Sequence, residues 1–178
     1  MQFREFPKMA RLSRDVIVTE KIDGTNASVT IQNEELEDNI SNSNIIAIYN
    51  GFTIRAGSRT RWIIPGNDNA GFAGWVLKNH KELIDGLGEG THFGEWWGSG
   101  IQCGYNLPKG EKRFSLFNVH RWGDTGKDVR PACCHVVPVL YEGPFDFEQI
   151  EAALSKLESE GSIASPGFMN PEGIIVFH

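Results

Sequence analysis

Val16-Ile17-Val18-Thr19-Glu20-Lys21-Ile22-Asp23-Gly24-Thr25-Asn26 joins a β-branched apolar run to an Asp-Gly turn, with one lysine between them. Residues 15–19 and 25–32 interleave β-branched and apolar positions with polar ones, so they read as strands on either side of that turn. Asp-Gly suits a tight reversal, because Asp bonds its own backbone and Gly tolerates positive φ. A lysine held at a strand end by such a turn is well placed to attack an electrophile.

Outward from this segment, the polar stretch from Gln32 to Asn44 reads as a surface loop. Ile45-Ile46-Ala47-Ile48-Tyr49 and Phe52-Thr53-Ile54-Arg55 flank Asn50-Gly51, the strongest short-range signal for a hairpin. Residues 70–86 carry Phe72, Val76 and Leu83 at helical spacing, with Gly86 and Gly88 as the stop. Strands are predicted at 91–97, 113–119 and 136–141. A second helix starts at Asp146, a capping residue with Gln149 three positions on. Its expected buried stripe is Phe147, Ile150, Leu154 and Leu157, and Gly161 ends it. Gly173 to Phe177 reads as a final strand. Strands and two helices in mixed order predict an α+β fold, with largely antiparallel sheets and flanking helices.

The chain has 178 residues, 40% hydrophobic and 11% aromatic, which suits one domain spanning 1–178 around one core. It has no apolar run of eighteen residues, so no membrane span is expected. Met1-Gln2-Phe3-Arg4-Glu5-Phe6-Pro7 lacks the apolar centre of a signal peptide. Three cysteines, with Cys133 and Cys134 adjacent, form neither a disulfide framework nor a zinc spacing. The expected compartment is therefore reducing: the cytoplasm, or the host cytoplasm for a phage-encoded chain. A net charge of −6 argues against a general nucleic-acid coat. Many of the acids sit in Glu34–Asp38 and in the helix at 146–160, so the remainder has room for a local basic groove.

Four further segments follow the lysine turn, which itself runs on to Asn26. Asn26 lies five residues after Lys21. Ser58-Arg59-Thr60 comes next, followed by Phe93-Gly94-Glu95-Trp96-Trp97-Gly98-Ser99-Gly100-Ile101-Gln102. Then come Phe114-Ser115-Leu116-Phe117-Asn118-Val119 and Glu172-Gly173-Ile174-Ile175-Val176. Together with Lys-x-Asp-Gly these resemble the motifs of the covalent nucleotidyltransferases, the superfamily of ATP-dependent ligases and messenger-RNA capping enzymes. The match is nearest to the RNA ligase 2-type branch and spans residues 20 to 176. The resemblance implies an adenylylation domain with the nucleotidyltransferase (ATP-grasp-like ligase) fold. It implies that Lys21 attacks the α-phosphate of ATP and carries AMP, with Mg²⁺ (or Mn²⁺) as cofactor. It implies nucleotide contacts from Glu20, Lys21, Asn26, Arg59, Glu95 and Phe117, with Phe117 stacking on the purine. Glu172 and Glu95 are the implied metal ligands, with Asp23 acting through water. The implied partners are ATP and RNA ends, a 5′-phosphate and a 3′-hydroxyl, in a broken strand or a nicked duplex.

Each residue also has a plainer role. A lysine amine attacks phosphorus only when neutral, and an ordinary lysine pKa of about 10.4 leaves little free base at pH 7. Lys21 alone would read as a surface lysine, and Glu95 and Glu172 as exposed turn carboxylates. Asp23 is sufficiently explained as a turn former, Phe117 as core. Arg55, Arg59 and Arg61 share one face if their strand continues, but Gly57 makes a bend plausible. Trp96 and Trp97 are adjacent, so alternation sends one to the core and the other outward, where it would stack on a base.

The pattern breaks at one place. The family's last motif, a Lys-x-Lys strand beyond the Glu-Gly motif, has no counterpart in these residues. The domain is therefore expected to stop short of that motif. Mg²⁺ would then supply most of the missing charge, and adenylylation would be slow or absent. The alternatives within the same chemistry are a DNA ligase adenylylation domain and a GTP-using capping enzyme. A catalytically degenerate nucleotide- or RNA-binding relative is the alternative of another class.

Overall fold

The computed structural model describes residues 14–33, 44–68, 70–124 and 129–178. The N-terminal segment, the acidic run Glu34–Asp38 and most of the expected loop to Asn44 lie outside them. The two strands beside the lysine turn form as expected, β1 (Asp15–Lys21) and β2 (Thr25–Asn33). They do not pair with each other. β1 is the centre of a three-stranded sheet, between β10 (Gly173–Phe177) and β9 (Val139–Pro144). β2 lies inside a seven-stranded sheet with β3 (Ala47–Tyr49), β4 (Phe52–Ser58), β5 (Trp62–Ile63), β6 (Gly90–Gly98), β7 (Lys112–Leu116) and β8 (Cys134–Val136). Residues 22–24 are thus the crossing from one sheet to the other. Gly24 is required there: a Cβ would sit 2.6 Å from the Trp96 carbonyl oxygen and 2.8 Å from the Trp97 Cβ.

The larger sheet runs β3-β4-β2-β6-β7-β8, with β5 attached to β4. All its pairings are antiparallel except β7 with β8. The β3–β4 hairpin turns at Asn50 (φ 51°) and Gly51 (φ 79°), the double positive φ that Asn-Gly accommodates. Helix α1 (Phe72–Leu87) packs Phe72, Ala73, Val76 and Leu83 onto one face of this sheet, against Val29, Ile31, Ile54, Trp96 and Phe114. It runs through Gly86, which packs so tightly on Pro131 that a Cβ would meet the ring at 2.7 Å. Gly88, at φ 70°, is the residue that ends it.

Three expectations need correction. The strand expected at 136–141 is two strands in different sheets. Pro138 has no N–H for a ladder, so the chain changes sheets there: Val137 donates its N–H to Leu116 O in the large sheet, while Pro138 O accepts from Glu20 in the small one. The strand expected at 113–119 stops at Leu116, because Asn118 caps a short helix, α2 (Val119–Trp122), by accepting the Arg121 N–H. The last helix, α3 (Phe147–Glu160), is capped by Asp146 as expected, but it buries Ala153 and Leu157. Ile150 is half-buried, whereas Phe147 and Leu154 are exposed. The three-stranded sheet is too narrow to cover more than one thin stripe of that helix.

Candidate active site

Between the two sheets lies a cleft of about 840 Å³. Residues from distant parts of the chain border it: Lys21, Asp23, Asn26, Arg59, Glu95, Phe117 and Glu172. Register explains how they meet. Lys21 at the end of β1 pairs with Gly173 at the start of β10, which brings Glu172 alongside. The Lys21 amine and the Glu172 carboxylate form an ion pair, each side chain partly exposed at the cleft. Asn26 pairs with Glu95 across β2 and β6, and its Nδ2 donates to Glu95 Oε2 at 3.3 Å.

Glu95 is 8% exposed, and burial pushes its carboxyl up to about 7. The Lys21 charge opposes that rise, Asp23 adds to it, and hydrogen bonds from Gly24 and Asn26 oppose it in part. A carboxylate in this setting changes charge near neutrality. Among the described residues no three His, Cys, Asp or Glu side chains form a closed metal cage. The donors on offer are the carboxylates Glu95 and Glu172, which border the same cleft, with Asp23 acting on Glu95. That set fits a hard divalent cation that keeps its waters and takes further oxygens from a phosphorylated ligand.

Glu20, which precedes the lysine, also borders the cleft but is 1% exposed, and both its carboxylate oxygens are taken. They accept from the Ser162 hydroxyl at 2.5 Å and from the Ile163 and Ala164 N–H groups at 2.9 Å. The nucleotide contact expected of Glu20 is therefore not supplied by its carboxylate in this arrangement. The clamp extends further: Ser165 donates its N–H to Ser162 Oγ and its hydroxyl to Tyr105 O, and the Tyr105 hydroxyl accepts the Asp23 N–H at 2.7 Å. Lys21 is thus bracketed by two anchored neighbours, Glu20 and Asp23. Sequence reading missed Tyr105, Ser162 and Ser165. No local signal marks them, since the Glu20–Ser162 contact spans 142 positions.

Phe117 is 42% exposed at the cleft, in company with Phe93 at 62%, so its ring is not core. Arg59 lies in the turn between β4 and β5, and β4 does bend away after Ser58, separating Arg59 from Arg55. Arg55 instead donates to Gln32 Oε1 and Thr53 Oγ1. The outward tryptophan is absent from 96 and 97. Alternation does send them to opposite sides, but both faces of the sheet are covered there. Trp96 packs with Phe72 and Trp75 under α1, while Trp97 packs on Tyr105 and donates to Ser115 Oγ at 2.9 Å.

A family model described as RNA ligase matches residues 14–176, so the chain belongs to the RNA ligase family. Solved structures of Naegleria gruberi RNA ligase share its fold. One substituted apo form is 20% identical with a TM-score of 0.58, covering 92% of this chain and 46% of that one. A second substituted form, with ATP and Mn, is 19% identical with a TM-score of 0.57 at the same coverage. A third, with AMP and Mn, is 19% identical with a TM-score of 0.52, over 79% of this chain and 41% of that one. The chain thus spans about half the length of these relatives. No curated protein matches it. Among the described residues, no helix is long and apolar enough to cross a membrane.

Proposed function

We propose that this chain is the adenylylation unit of an ATP-dependent RNA ligase, with Lys21 as the nucleophile. The observation that carries the reading is convergence: family-motif residues from five separate segments border one cleft around an amine already in contact with a carboxylate. Lys21 Nζ attacks the α-phosphorus of ATP; a P–N bond forms, the Pα–O bond to pyrophosphate breaks, and the amine gives up its proton. The Glu172 carboxylate lies against that amine and is the acceptor within reach. Phe117 stacks on the base, Arg59 meets phosphate, and Asn26 and Glu95 hold the ribose end. Glu95 and Glu172, with Asp23, would hold a Mg²⁺ or Mn²⁺ ion, which supplies charge neutralisation at the phosphates. AMP then passes to a 5′-phosphate end, and a 3′-hydroxyl displaces it to seal the strand.

All three cysteines are free, which supports a reducing compartment such as the cytoplasm. The 178 residues contain no Lys-x-Lys pair, so labelling is expected to be slow. The test is incubation with α-labelled ATP and Mg²⁺. The chain gains an acid-labile label that Lys21→Ala lacks, and excess ATP suppresses it better than excess GTP. A label that survives Lys21→Ala refutes the assignment of the nucleophile. ATP binding without any covalent product supports the degenerate binding relative instead.

A further inference from the structure

The cleft ends beside a second feature of which the nucleotide chemistry uses only Arg59. From Asn50 to Asn67 the chain has three arginines and no Asp or Glu, although the whole protein carries a net charge of −6. Its β4–β5 hairpin is closed by Ser58, whose N–H and hydroxyl both donate to Arg61 O, at 2.8 and 3.1 Å. Ser58 pairs with Ala27, next to Asn26, so the hairpin stands at the cleft mouth with Arg59 on the inside. Arg61 is exposed on the outside, followed by Trp62 at 43% exposure.

The placing of Trp62 depends on Gly57, its partner across the β4–β5 pair. A Cβ built on Gly57 would meet Cε3 and Cζ3 of the indole at 3.7 Å each. The indole therefore lies beside the backbone at a residue with no side chain, and much of it stays open to solvent. An exposed aromatic ring in this position, preceded by Arg59 and Arg61 and with no acid in its segment, matches the chemistry of a single-stranded polynucleotide. Bases stack on the ring whatever their identity, and phosphates meet the arginines.

We propose that this hairpin holds the RNA strand presented to the cleft, with a base stacked on Trp62 and a phosphate on Arg61. The choice of RNA rests on the ligase reading above. The test measures binding of a short fluorescent single-stranded RNA with a 5′-phosphate to the full chain, by anisotropy across a salt series. Trp62→Ala is expected to weaken binding about ten- to a hundredfold, and Trp62→Phe to restore most of it. Arg61→Ala is expected to reduce the slope of log affinity against log salt by about one. Melting curves of each variant separate loss of the platform from loss of the fold. No binding by the unsubstituted chain, or undiminished binding by folded Trp62→Ala and Arg61→Ala, overturns the proposal. Tighter binding of the same sequence as DNA overturns RNA as the occupant. Labelling of Lys21 is read in parallel: if it fails while Trp62→Ala still loses RNA, the ligase reading falls and the platform stands.

Discussion

Substituting Glu95 by Gln should stabilise the protein, by an amount that grows with pH. The carboxyl is raised from 4.5 to about 7, chiefly by burial. Between those values the folded protein keeps a proton that the unfolded chain has lost, so ionisation of the unfolded chain pulls against folding as pH rises. At about 1.36 kcal/mol for each pKa unit, the cost approaches roughly 3 kcal/mol above pH 7 and is under about 1 kcal/mol at pH 5. Gln keeps an oxygen facing Asn26 and cannot ionise. The stability gap between Glu95→Gln and the unsubstituted chain should therefore widen by about 2–2.5 kcal/mol from pH 5 to pH 8. Titrating groups that do not act on Glu95 cancel in that difference. Urea denaturation at the two pH values measures it, and a chain of this length should show a shift of several degrees in melting temperature. The functional consequence has the opposite sign: the same proton competes with a divalent cation, so Mg²⁺-dependent labelling should rise over this interval and fail in Glu95→Gln. A stability gap that stays flat between pH 5 and pH 8 would refute the reasoning, because it would mean that Glu95 is ionised throughout.

Ser162→Ala removes a donor to the buried Glu20 carboxylate and the acceptor of the Ser165 N–H, and should cost about 1–3 kcal/mol in chemical denaturation. An unchanged midpoint would show that the clamp carries no energy. Gly24→Ala forces a Cβ to within 2.6 Å of a backbone oxygen and should cost about 1–3 kcal/mol. It should also slow Lys21 labelling by displacing the crossing between the sheets, and a normal labelling rate would count against the need for that close approach.

What could be read in the sequence was whatever local chemistry decides. Asn50-Gly51 makes its turn because two residues alone set the positive φ values, and Asp146 caps its helix with an oxygen two residues from its donor. Pairing is not local. The strands on either side of Lys21 look like a hairpin in sequence, yet they lie in different sheets: β1 pairs with β9 and β10 near the far end of the chain, while β2 pairs with β4 and β6. Trp96 and Trp97 show the limit of periodicity. Alternation settles that they point to opposite sides, but what covers each side depends on α1 and on the turn at Tyr105. Trp62 carried no motif at all, and its place opposite Gly57 follows from the pairing of β4 with β5.

The arrangement also bears on why the proposed nucleophile sits at a crossing between sheets rather than within one. A residue inside a strand is held by its ladder, but its side chain faces a single surface. Lys21 is the last residue of β1, so its backbone is fixed by pairing with Gly173 while its amine reaches the cleft that the second sheet completes. The acids Glu20, Asp23, Glu95 and Glu172 border that cleft with the cations Lys21, Arg59 and Arg121, and a proton on Glu95 lowers the excess of negative charge. In the proposed reaction, the arrival of a polyphosphate adds more negative charge than these three cations can balance. The cleft then favours a divalent cation in place of the Glu95 proton. Nucleotide entry, cation entry and proton release are thereby linked at one carboxylate, and nucleotide affinity should gain its cation dependence over the same pH range in which Glu95 titrates.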